Sequence, residues 1–246
     1  MKPVLSEVVC QLAPKGRLRV GINLGNIVLA QIDPHTGELS GVTVALAREL
    51  GTRLGVDLDL IRFDAAGKVF DALKAGVLDV IFLAIDPFRA QEIAFSPPYA
   101  LIEGNFVVEA SSKLYSMTDI DKPGMRVTVA RGSAYDLFLT RALKQATLLR
   151  LPTGIEALEV FSSDRLEAAG SVKQPIVKFM EAHGNLRLIE PAFMQIRQAM
   201  GTPQGRPLGA AYLRSFIEEM KAAGVVAEAL RRSGQHDVEV APAETP

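Results

Sequence analysis

Apolar and polar positions divide the chain into short blocks whose period switches between that of a strand and that of a helix. Arg17 to Ile22 (R-L-R-V-G-I) alternates and predicts a first strand. Asp33-Pro34-His35-Thr36-Gly37 is dense in turn formers and predicts a hairpin tip. Val42, Ala45, Leu46, Leu50 and Leu54 then keep helical spacing, and Gly55 follows as a C′ glycine. Val56 to Phe63 alternates again, and Lys68 to Ala75 predicts a short helix closed by Gly76. Val77 to Ile85 is an apolar run broken only by Asp79, which suits a strand buried on both faces. Strand, helix, strand, helix, strand in this order predicts an α/β chain.

The later half repeats the rhythm. Asp119 to Gly124 reads as a turn and Met125 to Ala130 as a strand, and Arg131 to Asp136 opens a helix running through Arg141. Leu148–Leu151 predicts a strand, and Ile155–Phe161 a helix capped by Thr153. Leu166–Ala169 reads as a short strand, Gly170 to Pro175 as its connection, and the following helix runs to Ala182. Leu186–Ile189 is another strand, and Pro207 starts a helix over Leu208–Ala223, followed by one over Val225–Arg232. Residues from Gly234 onward read as a frayed end.

The chemistry concentrates behind the buried run. Asp86-Pro87 looks like a helix start, with Asp86 as N-cap and Pro87 at the first helical position. Ala84 then lies at the carboxyl end of the strand and Arg89 in the first helical turn, on the edge where open α/β sheets bind ligands. A helix N-terminus prefers anions, so an arginine there is in conflict with the dipole, and an anionic ligand resolves the conflict. The alternative is a surface pair between Arg89 and Asp86 or Glu92. In the later half, Gly132-Ser133 stands at a strand-to-helix turn and presents backbone N–H groups suited to an anion, or Ser133 is a plain N-cap.

Composition narrows the function classes. Hydrophobic content of 48% and charged content of 22% are those of an ordinary globular chain, and a net charge of −1 argues against a nucleic-acid binder. No stretch approaches the apolar length of a membrane span. Cys10 is the only cysteine, so neither an intrachain disulfide nor a thiolate metal cluster is expected. His35, His183 and His236 lack metal-ligand spacing, and there is no G-x-S-x-G, P-loop or G-x-G-x-x-G, so no cofactor and no metal is expected. The first residues lack the apolar core of a secretory signal, which leaves a removed signal or a cytoplasmic protein as alternatives.

The strand G-V-L-D-V-I, an arginine shortly after it and F-S-P-P-Y resemble the family-3 solute-binding proteins of bacterial ABC transporters. G-V-T-V-A-L-A-R-E-L-G-T-R-L-G resembles the family's helix segment, with Ala45 where a carboxylate is usual. The resemblance implies an α/β, two-lobed type II periplasmic-binding fold. One lobe would hold residues 1–103 plus 196–246, the other 104–195, joined by crossing segments near Ile102–Val107 and Ala192–Gln198. It implies that Arg89 holds a ligand carboxylate, that Gly132 and Ser133 contact the same group, and that Asn23 opens a ligand loop. It further implies a monomer that takes a small carboxylate ligand in the periplasm and docks on a membrane permease.

Two departures alter the expected pocket. F-L-A-I-D-P-F-R is shorter than the family pattern and carries no hydroxyl before the arginine. The segment L-E-A-A-G-S-V-K-Q-P lacks the family's ammonium-binding aspartate, with Ser171 or Lys173 near its place. If Lys173 faces the ligand, the pocket is net positive and disfavours a free amino acid. If it lies on the solvent face of its helix, it is silent. An enzyme alternative, a cyclohexadienyl dehydratase on the same fold, would use Glu103 or Asp86 as its acid. A ligand-sensing domain is the third class.

Overall fold

The computed structural model describes residues 6–244. Helix α1 (Ser6–Leu12) leads into β1 (Arg17–Asn23) and the small hairpin β2 (Gln31–Ile32) and β3 (Leu39–Ser40). Then come α2 (Val42–Leu54), β4 (Asp57–Phe63), α3 (Ala66–Lys74), β5 (Val80–Ala84) and the long β6 (Ile93–Glu109). They are followed by α4 (Met117–Ile120), β7 (Arg126–Ala130), α5 (Ala134–Ala142), β8 (Thr147–Leu151), α6 (Gly154–Ser163) and β9 (Ala168–Val172). The chain ends with α7 (Lys173–His183), β10 (Leu186–Pro203), α8 (Pro207–Ala222), α9 (Val225–Arg232) and β11 (Glu239–Val240).

Two compact units result, one reaching Leu101 and resuming at Arg197, the other spanning Ile102–Ile196. The chain passes between them within β6 and again within β10. In the first unit the strand order is β4-β1-β5-β10, with β11 paired to the first half of β6. β1 runs parallel to β4, from Arg17 opposite Asp57 to Asn23 opposite Phe63, and parallel to β5 with Val20 opposite Val80. β10 returns antiparallel, Gln198 opposite Ala84. Every residue of β5 is buried, as a strand covered on both faces requires. Val69, Phe70 and Leu73 of α3 pack on Leu78, Ile81 and Leu83.

Asp79, the polar break in that run, is fully buried just before β5. Arg19 holds it through Nε and Nη2, both at 2.8 Å, and Arg206 through Nη1 at 3.1 Å. The hydrogen bond to Asp79 raises the pKa of Arg19. Arg206 also donates to the Gln11 carbonyl, and the Gln11 side chain accepts from the Gly209 N–H, which ties α1 to α8. A buried carboxylate is tolerable only with such partners.

The second unit is built on the order β6-β9-β7-β8. β9 is antiparallel to the later half of β6, Gly104 opposite Val172, and parallel to β7, which is parallel to β8. Val107, Leu158, Phe161, Leu166, Ala169, Ile176 and Phe179 form its core.

Four expectations are corrected. Asp86-Pro87 starts no α-helix: a single 3-10 turn, Arg89–Gln91, fills the gap, because buried Ile93 already belongs to β6 and leaves no room to nucleate a helix. Residues 238–241, expected to fray, are instead ordered: Val238 and Ala241 are buried and β11 pairs with Ala100 and Leu101. β9 runs on through Gly170 to Val172, where the missing Cβ of Gly170 admits Leu139, whose Cδ1 would stand 3.0 Å from it. The Asp119 turn contains α4, capped by the Ser116 hydroxyl accepting from the Asp119 N–H.

Candidate functional site

In the first unit, parallel register brings the carboxyl ends of β4, β1 and β5 to one sheet edge. Asn23 ends β1 there, its Oδ1 accepting from the Gly25 N–H at 3.1 Å. Gly25 is obligatory at this turn, since an added Cβ would stand 2.2 Å from the Asp64 carbonyl oxygen. Ala84 ends β5, and its carbonyl accepts from Arg89 Nη1 at 3.0 Å. The Arg89 side chain folds back along the strand it follows and is only 1% exposed.

Burial pushes the Arg89 pKa down to about 10, and the charge of Asp86, itself buried, opposes the fall. The guanidinium therefore stays charged at neutral pH, in a place where its hydration is gone. The surface-pair alternative for Arg89 does not hold, because neither Arg89 nor Asp86 is on the surface. Two N–H groups of this turn are engaged within it. The Phe88 N–H donates to Asp86 Oδ1 at 2.8 Å and the Ala90 N–H to the Asp86 carbonyl at 2.9 Å.

In the second unit the corresponding edge gathers the ends of β7, β8 and β9. Gly132 takes a left-handed φ of 68°, and its N–H donates to Asp136 Oδ2 at 2.8 Å. Ser133 caps α5, its hydroxyl accepting from the Asp136 N–H at 3.0 Å, while its own N–H donates to the Ala130 carbonyl. The N–H groups of Gly132 and Ser133 are thus both engaged within the chain in this structure. Arg150 neutralises Asp136 through Nε at 2.8 Å and donates to the Thr140 hydroxyl.

Beneath the turn lies Tyr135. Burial raises its phenol, opposed by hydrogen bonds with Ser171 and Ser133. Gly154 faces this group, and an added Cβ there would approach the Tyr135 hydroxyl to 3.3 Å.

Lys173 is the first residue of α7, and its Nζ lies 2.7 Å from Glu103 Oε2 and 3.7 Å from Glu190 Oε1. The hydrogen bond with Glu103 raises its pKa. Lys173 is thus paired with Glu103 and lies near Glu190, so this cluster carries no net positive charge. Sequence reasoning missed Glu190 and Arg150, which reach these groups from remote strands and leave no local signal. Asp136 was legible as the last residue of S-A-Y-D, a capping-box spacing.

Among the described residues no group of three or more His, Cys, Asp or Glu side chains is placed to hold a metal. No helix there is long and apolar enough to cross a membrane.

The glutamine-binding protein of Geobacillus stearothermophilus is 22% identical over 196 residues, covering 78% of this chain and 74% of that protein. A putative binding component of an ABC transporter from Wolinella succinogenes, solved with lysine, superposes with a TM-score of 0.75. It is 24% identical and covers 89% of this chain and 95% of its own. An ancestral amino-acid-binding protein described as a precursor of cyclohexadienyl dehydratase gives a TM-score of 0.76 at 21% identity, covering 91% and 97%. The α/β architecture is thus the type II periplasmic-binding fold. With the family model matching residues 18–236, the chain belongs to the bacterial extracellular solute-binding proteins, family 3.

Proposed function

We propose that the protein binds a small solute of the amino-acid type by its carboxylate, and that Arg89 is the group that takes it. The observation carrying this reading is a charged guanidinium, 1% exposed, at the carboxyl end of a buried parallel strand. A carboxylate meeting that group exchanges its lost hydration for a charge-assisted hydrogen bond. The named ligands of the relatives, glutamine and lysine, carry the same carboxylate.

The solute would be held without chemistry by closure of the two units, at the edge holding Ala84, Asp86 and Asn23 and the edge holding Gly132 and Ser133. Such a monomer would hand its solute to the permease of an ABC importer outside the cytoplasmic membrane. A ligand drives closure only by binding the closed form better than the open one.

A thermal-shift screen of L-amino acids, dicarboxylates and aromatic acids tests the ligand class, and small-angle scattering tests closure. Stabilisation by carboxylate-bearing ligands with a fall in radius of gyration is expected. Turnover of prephenate or arogenate, or no response to any carboxylate, would overturn the reading.

A further inference from the structure

β6 passes from the first unit to the second, and the strands that support it change on the way. In the first unit β11 runs antiparallel to it, with Val240 opposite Ala100 and Glu239 opposite Leu101. The Ala241 N–H donates to the Tyr99 carbonyl at 3.1 Å, so those two residues form a hydrogen-bonded pair. Such pairs alternate along an antiparallel ladder, which makes Glu239 and Leu101 the next one. In the second unit β9 takes over, but only from Gly104, opposite Val172. Ile102 and Glu103 fall between the two registers and are held by neither β11 nor β9. Both flanks of this gap are firmly packed. On the first-unit side Val238 and Ala241 are buried, and α8 grips the tail beyond them. Lys221 Nζ donates to the Pro242 carbonyl at 2.8 Å, and Arg214 pairs with Glu244. On the second-unit side the missing Cβ of Gly104 admits Met194 and Phe193, and the Phe193 ring lies 4.4 Å from that of Phe106.

We propose that the tail over residues 238–244 is a strap that sets where β6 bends. By fastening residues 99–101 to α8, it confines the bend to Ile102 and Glu103. A strand yields first where its ladder is interrupted, and a hinge is a few such residues absorbing the change in backbone angles. With the strap released, residues 99–101 lose their outer ladder, and the bend spreads back into the first unit. The strap is a property of the chain's own backbone and needs no ligand, so it and the reading of Arg89 stand or fall separately.

Nitrogen-15 relaxation and amide hydrogen exchange on the full chain, with no ligand added, test this residue by residue. In the wild type, order should dip at Ile102 and Glu103 and recover on both sides, at Leu101 and at Gly104. Glu239→Pro removes the N–H that pairs with Leu101, and Lys221→Met removes the outer anchor on Pro242. The Leu101 amide should exchange faster by about tenfold or more in Glu239→Pro and by about threefold in Lys221→Met. The dip in order should extend back to Tyr99 in both, while Phe106 and Val107, paired with β9, keep their protection. Should Glu239→Pro fail to fold, the milder Lys221→Met decides by the same criterion. A wild type as ordered at Ile102 and Glu103 as beside them would overturn the proposal. So would variants that leave residues 99–101 unchanged, or that speed exchange equally along β6 through Val107, which is the mark of plain destabilisation.

Discussion

The two units present the same kind of sheet edge and treat charge there in opposite ways. In the first, a guanidinium is withdrawn almost completely from water against the carbonyl of Ala84, with buried Asp86 opposing the loss of its charge. In the second, each charged group is matched on the spot: Asp136 by Arg150 and the Gly132 N–H, Lys173 by Glu103 and Glu190. Those groups also keep more of their hydration, since Arg150 and Lys173 are about a third exposed. A parallel α/β edge does not by itself dictate a ligand. What distinguishes the edges is how deeply their charged groups are withdrawn from water. The proposed carboxylate contact falls on the edge whose charged group is the more deeply buried.

The largest effect that would break this comparison is on binding. Arg89→Ala should weaken carboxylate binding by about 100-fold or more, because a desolvated charge contact is lost. Titration calorimetry would show it, and an unchanged affinity would move the binding charge elsewhere.

Next comes Asp136→Ala, which should cost about 2–3 kcal/mol of stability by stripping Gly132 and Arg150 of their shared acceptor. Urea denaturation would show this, whereas a neutral outcome would mean the second edge is not self-satisfied.

Gly25→Ala sharpens the first edge. The new Cβ meets the Asp64 carbonyl at 2.2 Å, and the strain should cost about 1–2 kcal/mol by the same measurement.

The smallest effect concerns pH. Arg126, by hydrogen bonding, lowers the pKa of Glu167. A lowered carboxylate pKa contributes stability above the ordinary carboxylate range and loses it as pH falls through the folded value. Glu167→Gln should therefore melt about 1 °C lower at pH 7, with the gap closing at acid pH.

Much of the fold was legible because helical and strand periods are local. The apolar stripe of α2 with Gly55 in the left-handed conformation, and the buried β5, follow directly from spacing. The errors arose where a distant strand decided the outcome. Ile93 is claimed by β6 and so denies Asp86-Pro87 its helix, and the Val238–Ala241 tail gains order only by pairing with β6. The position of Arg89 beyond a buried strand was readable, but its burial was not. That depends on the side chain folding back onto the Ala84 carbonyl, which no spacing rule encodes. The partners of Lys173 were unreadable for the same reason, since Glu103 on β6 and Glu190 on β10 are remote from it in sequence.

The central claim is that Arg89 takes the ligand's carboxylate, and the most direct observation of it is the Nε–H resonance of that side chain. In a nitrogen-15 spectrum the signal is assigned by its loss in Arg89→Lys, then followed as a stabilising carboxylate is titrated to saturation. The account predicts that this resonance shifts in step with the binding isotherm while the Arg150 resonance stays put. A saturating ligand that moves other signals and leaves Arg89 Nε–H unshifted would contradict it.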